Sequence, residues 1–295
     1  MRALVLVLVA ACADPASTTP WPFDLPASLP PPPVPADNPM TVEKVELGRH
    51  LFYDTRLSSN GTQACASCHA QERAFTDGRT VSIGAAGAHG TRNALGLANV
   101  AYRASLTWED HTVRSLEAQA LVPMFSPIEL GLPDEDALLG RLAPYADEFA
   151  AAFPDDAAPL SLPTIARALA SFERTILSGS SRFDTHDLTA AEQRGLDRFD
   201  ALGCGDCHAG FDFTTASDGE LRMFDSATGA PGKFRPPSLR NVAVTAPYFH
   251  DGSAATLDDV LARYEVPVAD RADLIAFLAA LTDEALLTNP ALTAP

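Results

Sequence analysis

The chain has 295 residues, of which 46% are hydrophobic and 20% charged, so it is long enough for two domains that each bury a core. Its formal net charge of −17 would repel nucleic acid, and the sequence has no run of about 18 apolar residues that could cross a membrane as a helix. An acidic surface fits either a basic protein partner, such as a redox carrier, or solubility alone.

The first residues have the pattern of an export signal. Arg2 is followed by an apolar run at 3–9 and by small residues before Cys12, so residues 1–11 are predicted to be a signal peptide. The run Val-Ala-Ala-Cys at 9–12 resembles a bacterial lipobox, in which Cys12 would carry lipid and anchor the protein. A plain cleaved signal is the alternative, and both predict a periplasmic protein.

Residues 12–39 are rich in proline, serine and threonine, with four consecutive prolines at 30–33, and are predicted to be an extended linker. Apolar periodicity then predicts a first helix at 41–53. Thr189 and Glu192 form a capping box that opens a later helix. Further helices are predicted at 115–121, 134–142, 162–177, 190–202, from Thr256 onward, and at 270–281. Alternating strand patterns are scarce, and the polar Gly/Ser stretch at 178–184 is a natural domain boundary.

Two copies of the motif Cys-x-x-Cys-His indicate the chemistry most directly. They consist of Cys65, Cys68 and His69, and of Cys204, Cys207 and His208. The two thiols of each motif can add to the vinyl groups of a haem, and the adjacent His can then bind the iron. Disulfides are the alternative in a secreted protein, but a bridge would not require a His after both pairs. We therefore expect two covalently bound c-type haems.

The motifs and the helical pattern together predict a mostly α fold. It would consist of two cytochrome-c-like domains, at 40–180 and 181–295, each with one covalently attached haem. The sixth iron ligands would decide between electron transfer and peroxide chemistry. The chain has four methionines and none after Met223, where a methionine ligand of the second haem would be sought.

Further motifs make residues 40–281 resemble the bacterial di-haem cytochrome c peroxidase / MauG family. They are Phe-Thr-Asp-Gly at 75–78, Thr-Arg-Asn at 91–93, Trp108, Leu-Glu-Ala-Gln-Ala at 116–120, Glu-Leu-Gly at 129–131, Pro-Ser-Leu-Arg-Asn-Val at 237–242 and Thr-Ala-Pro-Tyr-Phe-His-Asp-Gly at 245–252. Within the family, the proline-rich lead-in and residues 36–40, 53–57 and 97–102 resemble the branch of MbnH-like di-haem enzymes.

The resemblance implies roles for residues near the first haem. His69 would hold the N-terminal, peroxide-reactive haem, with Gln119 and Glu129 as the polar pair beside its open face. A carboxylate there can move a proton between the two peroxide oxygens. Trp108 would lie between the haems and relay an electron. The alternatives are a surface acid at Glu129 and a structural tryptophan at Trp108.

The resemblance also implies three metal assignments. Tyr264, fourteen residues after His250, matches the sixth-ligand position of the C-terminal haem, where peroxidases of the family have Met and MauG has Tyr. Asn93, Thr245 and Pro247 resemble an inter-haem calcium site, because amide and carbonyl oxygens suit a hard cation. A packed core tyrosine and a loop without an ion are the alternatives.

The sequence departs from the family pattern at two places. Peroxidases of the family have a His that caps the N-terminal haem until reduction, whereas the aligned residue is Ala85. The nearest histidine is His89, for which we expect a loop or surface role. The segment at 265–270 after Tyr264 is also short, which puts the geometry around Tyr264 in question.

Three functions remain open at this stage. The favoured one is a MauG-like enzyme that uses hydrogen peroxide to reach a high-valent di-haem state and oxidises a residue, such as tryptophan, of a partner protein. The second is a peroxidase that reduces peroxide with electrons from a small redox protein. The third is an electron carrier without peroxide chemistry, which the Gln119 and Glu129 pair disfavours. No nucleic acid is expected as partner, and membrane contact only through a lipid at Cys12.

Overall fold

The computed structural model describes residues 18–110, 112–215, 224–225, 228–229 and 232–295. The predicted signal peptide, Cys12 and Met223 lie outside the described residues. Within the described residues, none of the helices is long and apolar enough to span a membrane.

The described residues are mostly helical, as predicted. The helices are α1 (Val42–Tyr53), α2 (Leu116–Phe125), α3 (Glu135–Leu142), α4 (Ala146–Ala152), α5 (Leu162–Glu173), α6 (Ala190–Ala201), α7 (Leu257–Arg263), α8 (Val268–Ala279) and α9 (Glu284–Thr288). Two short antiparallel strands, β1 (Phe224–Asp225) and β2 (Lys233–Phe234), pair with Phe224 opposite Phe234.

Local capping explains why most helices begin where the sequence predicts. The side chain of Thr41 accepts a hydrogen bond from the amide of Lys44 at the start of α1, and Thr189 and Glu192 form the predicted capping box of α6. The prediction was wrong in three respects. It missed the short helices α4 and α9, and it extended α5 to residue 177, whereas the helix ends at Glu173. It also ended the second helix at residue 121, whereas α2 continues to Phe125.

A glycine allows close approach in each of two helix pairs. Gly48 of α1 packs against α5, where a Cβ would lie 2.0 Å from the carbonyl oxygen of Ala168. Gly195 of α6 packs in the same way against α8, with a Cβ 2.0 Å from the carbonyl oxygen of Asp273. The N-terminal and C-terminal halves are therefore built on matching pairs of crossed helices.

Each half has its own hydrophobic core. Phe52, Phe149 and Phe172 belong to the first core, and Phe199 and Phe277 to the second. The last residues return to the first core, because Leu286 and Leu292 pack there. Sequence order therefore does not divide the two cores completely, and the boundary at 180/181 stays a prediction.

A short internal repeat lies beside the two cores. Leu-x-Asn-Val-Ala occurs at 97–101 and again at 239–243. Asn99 and Asn241 are both buried with a left-handed backbone, and each precedes a short 3₁₀ turn. The amide of Asn99 donates to the carbonyl of Ile176, and that of Asn241 donates to the carbonyl of Leu281. Both asparagines thus fasten a loop to the chain just beyond the last helix of their helix pair.

The predicted linker runs along the surface of the helical body over its described residues, 18–39, and contains no helix there. The hydroxyl of Ser28 donates to the carbonyl of Gly179, and that of Tyr102 donates to the carbonyl of Pro30. Leu29 is buried against Gly179. This segment therefore contacts the body at the point where the chain passes from the first half to the second.

Candidate haem-binding and peroxide site

The first Cys-x-x-Cys-His motif forms a tight turn that fixes the orientation of its histidine. A 3₁₀ turn runs over Cys65–Ser67, and the amide of His69 donates to the carbonyl of Cys65 at 3.0 Å. Nδ1 of His69 lies 2.8 Å from the carbonyl oxygen of Phe75, so Nδ1 carries the proton and Nε2 is left for a metal. Burial lowers the pKa of His69, which favours the neutral imidazole that binds iron.

The second motif repeats this geometry. The amide of His208 donates to the carbonyl of Cys204 at 3.0 Å, and its Nδ1 lies 3.2 Å from the carbonyl oxygen of Phe213. Phe75 and Phe213 are both buried and both have a positive φ, at 61° and 49°. All four motif cysteines are free thiols in the structure. The two motifs therefore have the same local geometry around their histidines and the same free thiols.

A cavity of about 490 Å³ adjoins the first motif. Its walls include Cys65, Cys68 and His69, together with apolar side chains such as Phe52 and Leu169. Its volume and mostly apolar lining are typical of a cofactor site. Two thiols and a histidine with a free Nε2 on one wall are the groups that a c-type haem requires, so the residues fit this cofactor.

The predicted distal pair lies on the same cavity. Gln119 belongs to α2, whose first turn is capped by Ser115, and Glu129 follows in the loop after the helix. The amide of Ala85 donates to the carbonyl of Glu129 at 2.7 Å, which ties the loop that carries Ala85 to this side of the cavity. His89 is exposed, as expected for a loop role.

Trp108 lines both this cavity and a second, smaller one of about 80 Å³. Its indole Nε1 donates to the carbonyl of Asn93 at 2.9 Å, and its own carbonyl accepts from the amide of Arg235 at 3.2 Å. Trp108 is therefore bonded to one half through its side chain and to the other through its main chain.

The three predicted calcium residues, Asn93, Thr245 and Pro247, line the small cavity together, and the Ala246–Pro247 peptide bond is cis. Among the described residues, no cluster of three histidines, cysteines or carboxylates could hold a metal. A cation here would therefore depend on neutral amide and carbonyl oxygens, as predicted for a hard ion.

Tyr264 lies at the C-terminal end of α7, and the short loop that follows terminates the helix in a tight turn. Glu265 has a left-handed backbone, and the amide of Val266 donates back to the carbonyl of Leu261. These are the features of a Schellman motif. The Tyr264 side chain is 57% exposed, and its ring lies 6.2 Å from that of Phe249. Desolvation by surrounding protein raises the pKa of the phenol, and the nearby thiols of Cys207 and Cys204 add to this rise.

Sequence reasoning missed two charged residues at these sites. Glu173 lines the large cavity and is only 6% exposed, and burial raises its pKa to about 8. Its position four residues after Leu169, on the apolar face of α5, was the available signal. Arg235 is 2% exposed and next to Trp108, and no local pattern distinguishes it.

His250, which belongs to the motif at 245–252, is also buried. It stacks on Phe234 at a centroid distance of 3.9 Å and lies edge-on to Trp108 at 6.4 Å. The histidine therefore packs beside the indole that lines both cavities.

The fold and the two motifs define a di-haem c-type oxidoreductase. Residues 42–193 match the model of the di-haem cytochrome c peroxidase family. The methylamine utilization protein MauG of Methylophilus methylotrophus is 32% identical over 303 residues, covering 90% of this chain and 89% of that protein. The cytochrome c peroxidase Ccp of Escherichia coli is 32% identical over 283 residues, covering 84% and 60%. The chain belongs to the di-haem cytochrome c peroxidase / MauG family. The members of this family are oxidoreductases, and membership implies two haems, hydrogen peroxide and a protein partner.

A solved structure agrees with this assignment. The crystal structure of a MauG-like protein associated with microbial copper homeostasis has 39% sequence identity and a TM-score of 0.87, covering 93% of this chain and 99% of that one. The di-haem peroxidase BthA from Burkholderia thailandensis, with 23% identity and a TM-score of 0.69, shares the fold. Because MauG and a peroxidase match this chain at the same identity, family membership does not decide which of their two reactions this protein catalyses.

Proposed function

We propose that this protein uses hydrogen peroxide to oxidise a side chain, such as a tryptophan, of a partner protein. When bound, the two haems supply the redox chemistry, because their irons can accept the oxidising equivalents of peroxide and hold them. For each peroxide reduced to two waters, the partner gives up two electrons, and two protons are taken up.

The residues of this chain would have the following roles. Cys65, Cys68 and His69 would hold one haem, and Cys204, Cys207 and His208 the other. In the large cavity, Glu129 would take a proton from one peroxide oxygen and return it to the other, as a general base and then a general acid. Gln119 would orient the peroxide by hydrogen bonding.

Trp108 would carry electrons between the two halves. Its support is its position on both cavities and its hydrogen bonds to segments of each half. An indole in this position would pass an electron without moving.

The observation that carries the proposal is the position of Tyr264, whose ring lies 6.2 Å from that of Phe249, a residue that lines the small cavity next to Trp108. This position supports a place for the phenol beside the C-terminal haem. Its raised pKa, caused by desolvation and then by the Cys207 and Cys204 thiols, agrees with such a place. A phenolate is an anionic, hard ligand and favours oxidised iron more than a methionine thioether does. A second iron with this ligand suits storage of oxidising equivalents rather than rapid electron supply.

We also propose one calcium ion held by Asn93, Thr245 and Pro247. Its support is that these residues line one small cavity next to Trp108. Export to the periplasm and a lipid anchor at Cys12 are further proposals, supported by the signal-like sequence and by the haem motifs.

The test is the addition of peroxide to the ferric protein. With Ala85 in place of a capping histidine, the ferric protein should react at once without prior reduction. The reaction should give a long-lived product with charge-resonance absorption in the near infrared. Trp108→Phe should abolish this absorption, whereas the control Trp21→Phe, which replaces the other tryptophan, should leave it unchanged.

The competing function is peroxide reduction fed by a small redox protein, as in the peroxidases of the family. If the ferric protein ignores peroxide until it is half-reduced, and then oxidises reduced cytochrome c rapidly, the protein is a peroxidase and our proposal is wrong.

A further inference from the structure

Three buried arginines, Arg103, Arg235 and Arg240, lie at the junction of the two halves. Arg103 forms an ion pair with Asp212 at 2.9 Å, and Arg240 pairs with Asp184 through both carboxylate oxygens at 2.8 Å. Arg235 is 2% exposed and has no carboxylate within ion-pair distance among the described residues. Among the described residues, Arg103 and Arg240 thus each have a paired carboxylate, whereas Arg235 has none.

Arg235 also has an unused donor. Its Nε donates to the carbonyl of Thr107 at 2.8 Å, while its buried Nη1 has no acceptor among the residues that the structure describes. Burial, followed by repulsion from Arg103, lowers the pKa of Arg235 to about 9. Buried charges are normally paired, because an unpaired one loses its hydration without compensation. The arginine is therefore missing an anionic partner.

The location of Arg235 indicates which kind of anion is missing. Its Nε and amide are bonded to Thr107 and Trp108, which both line the large cavity that fits a haem. Arg103 and Arg240 line the small cavity, which Trp108 also lines. A planar guanidinium pairs best with a carboxylate, and each haem carries two carboxylates as propionates.

We propose that Arg235, supported by Arg103 and Arg240, forms a carboxylate-binding site at the junction that receives a haem propionate. The site would fix the haem edge next to Trp108 and supply a partner for the charge of Arg235. This inference depends on haem binding in this family and not on the peroxide reaction proposed above, so each can fail without the other.

The test uses the haem-loaded full-length protein and resonance Raman spectroscopy of the propionate bending bands, which respond to hydrogen bonding. Arg235→Met should shift one of these bands while intact mass still shows two haems. Arg235→Lys keeps the charge and should shift the band less. The control Arg141→Met, which removes an arginine bonded to the carbonyls of Ser58 and Ser59, should leave it unchanged.

Three results would overturn the assignment. Equal shifts in the Met and Lys variants would show that the band responds only to the lost hydrogen bond with Thr107. Unchanged bands in both variants would show that no propionate is bound. If acetate stabilised the wild type against heat but did not stabilise Arg235→Met, and the bands were unchanged, the partner would be a free anion. If Arg235→Met does not fold, Arg235→Gln, which removes the charge but keeps a polar side chain, replaces it, and an unchanged band in that variant would exclude contact with a propionate.

Discussion

The close helix crossing at Gly48 makes an alanine substitution there a sharp test of the fold around the first motif. The new Cβ would lie 2.0 Å from the carbonyl oxygen of Ala168 and 2.9 Å from Cβ of Phe172. Since real Cβ contacts are essentially never under 3.0 Å, α1 and α5 would have to separate by about 1 Å. Both obstacles belong to a helix backbone or to the first side-chain atom, so neither can rotate away.

The expected loss follows from two opposing effects. Overpacking of a close-packed core costs about 1–3 kcal/mol, and we expect the upper part of this range because backbone must move. Replacing glycine by alanine in a helix returns about 0.5–1 kcal/mol. Gly48→Ala should therefore lower the free energy of unfolding by about 2 kcal/mol. Gly195→Ala, with the same 2.0 Å contact to the carbonyl of Asp273, should lose a similar amount in the second half.

Gly140→Ala is the matched control. Gly140 lies inside α3, and a Cβ there would meet no atom within 4 Å. This variant should gain about 0.5–1 kcal/mol from helix propensity alone. Urea unfolding of the haem-loaded protein, followed by circular dichroism, measures all three. If Gly48→Ala were as stable as the wild type, or if Gly140→Ala lost as much, the close-crossing argument would be refuted.

Four further predictions concern the site. The pKa of Glu173 is raised to about 8, above the ordinary 4.5, so the folded protein keeps a proton that the unfolded chain loses. The free energy of unfolding should therefore fall as pH rises from 4.5 to 8. Glu173→Gln should flatten this pH dependence when urea unfolding is measured at several pH values. Tyr264→Phe should change the low-spin electron paramagnetic resonance signal, and an unchanged spectrum would reject Tyr264 as ligand. Intact mass should exceed the mature polypeptide by two haems; a single haem would contradict the two-site prediction. Metal analysis should find one calcium per chain, lost in Asn93→Ala; calcium retained by that variant would count against the site.

Local sequence was sufficient wherever a few neighbouring residues determine the outcome. Each Cys-x-x-Cys-His motif is a five-residue unit, and its turn is closed by a hydrogen bond from His69 to Cys65, or from His208 to Cys204. Helix starts were also predictable, because a capping side chain such as Thr189 bonds an amide only three residues away. The roles of Gln119, Glu129, Trp108 and Tyr264 came from family resemblance and stay predictions.

Helix ends and short helices were less predictable. The chain leaves α5 after Glu173 although Ile176 continues its apolar pattern. The carbonyl of Ile176 instead accepts from the amide of Asn99, which lies in a distant loop. The short helix α9 contains good helix formers, but its five residues are too few to be stable alone. It is held by Gln71, whose side-chain amide donates to the carbonyls of Leu286 and Asn289. These outcomes depend on partners that sequence order does not reveal.

Local motifs were therefore sufficient to predict which cofactor this protein can bind, whereas the charges around the binding sites depend on how the chain folds. Nothing near Arg235 in the sequence shows that it will be buried beside Trp108, or that Arg103 and Asp212, 109 positions apart in the numbering, will pair at 2.9 Å. Burial leaves the charge of Arg235 unpaired and raises the pKa of Glu173. Because burial arises from long-range packing of both halves, only the folded chain shows which charged groups are buried.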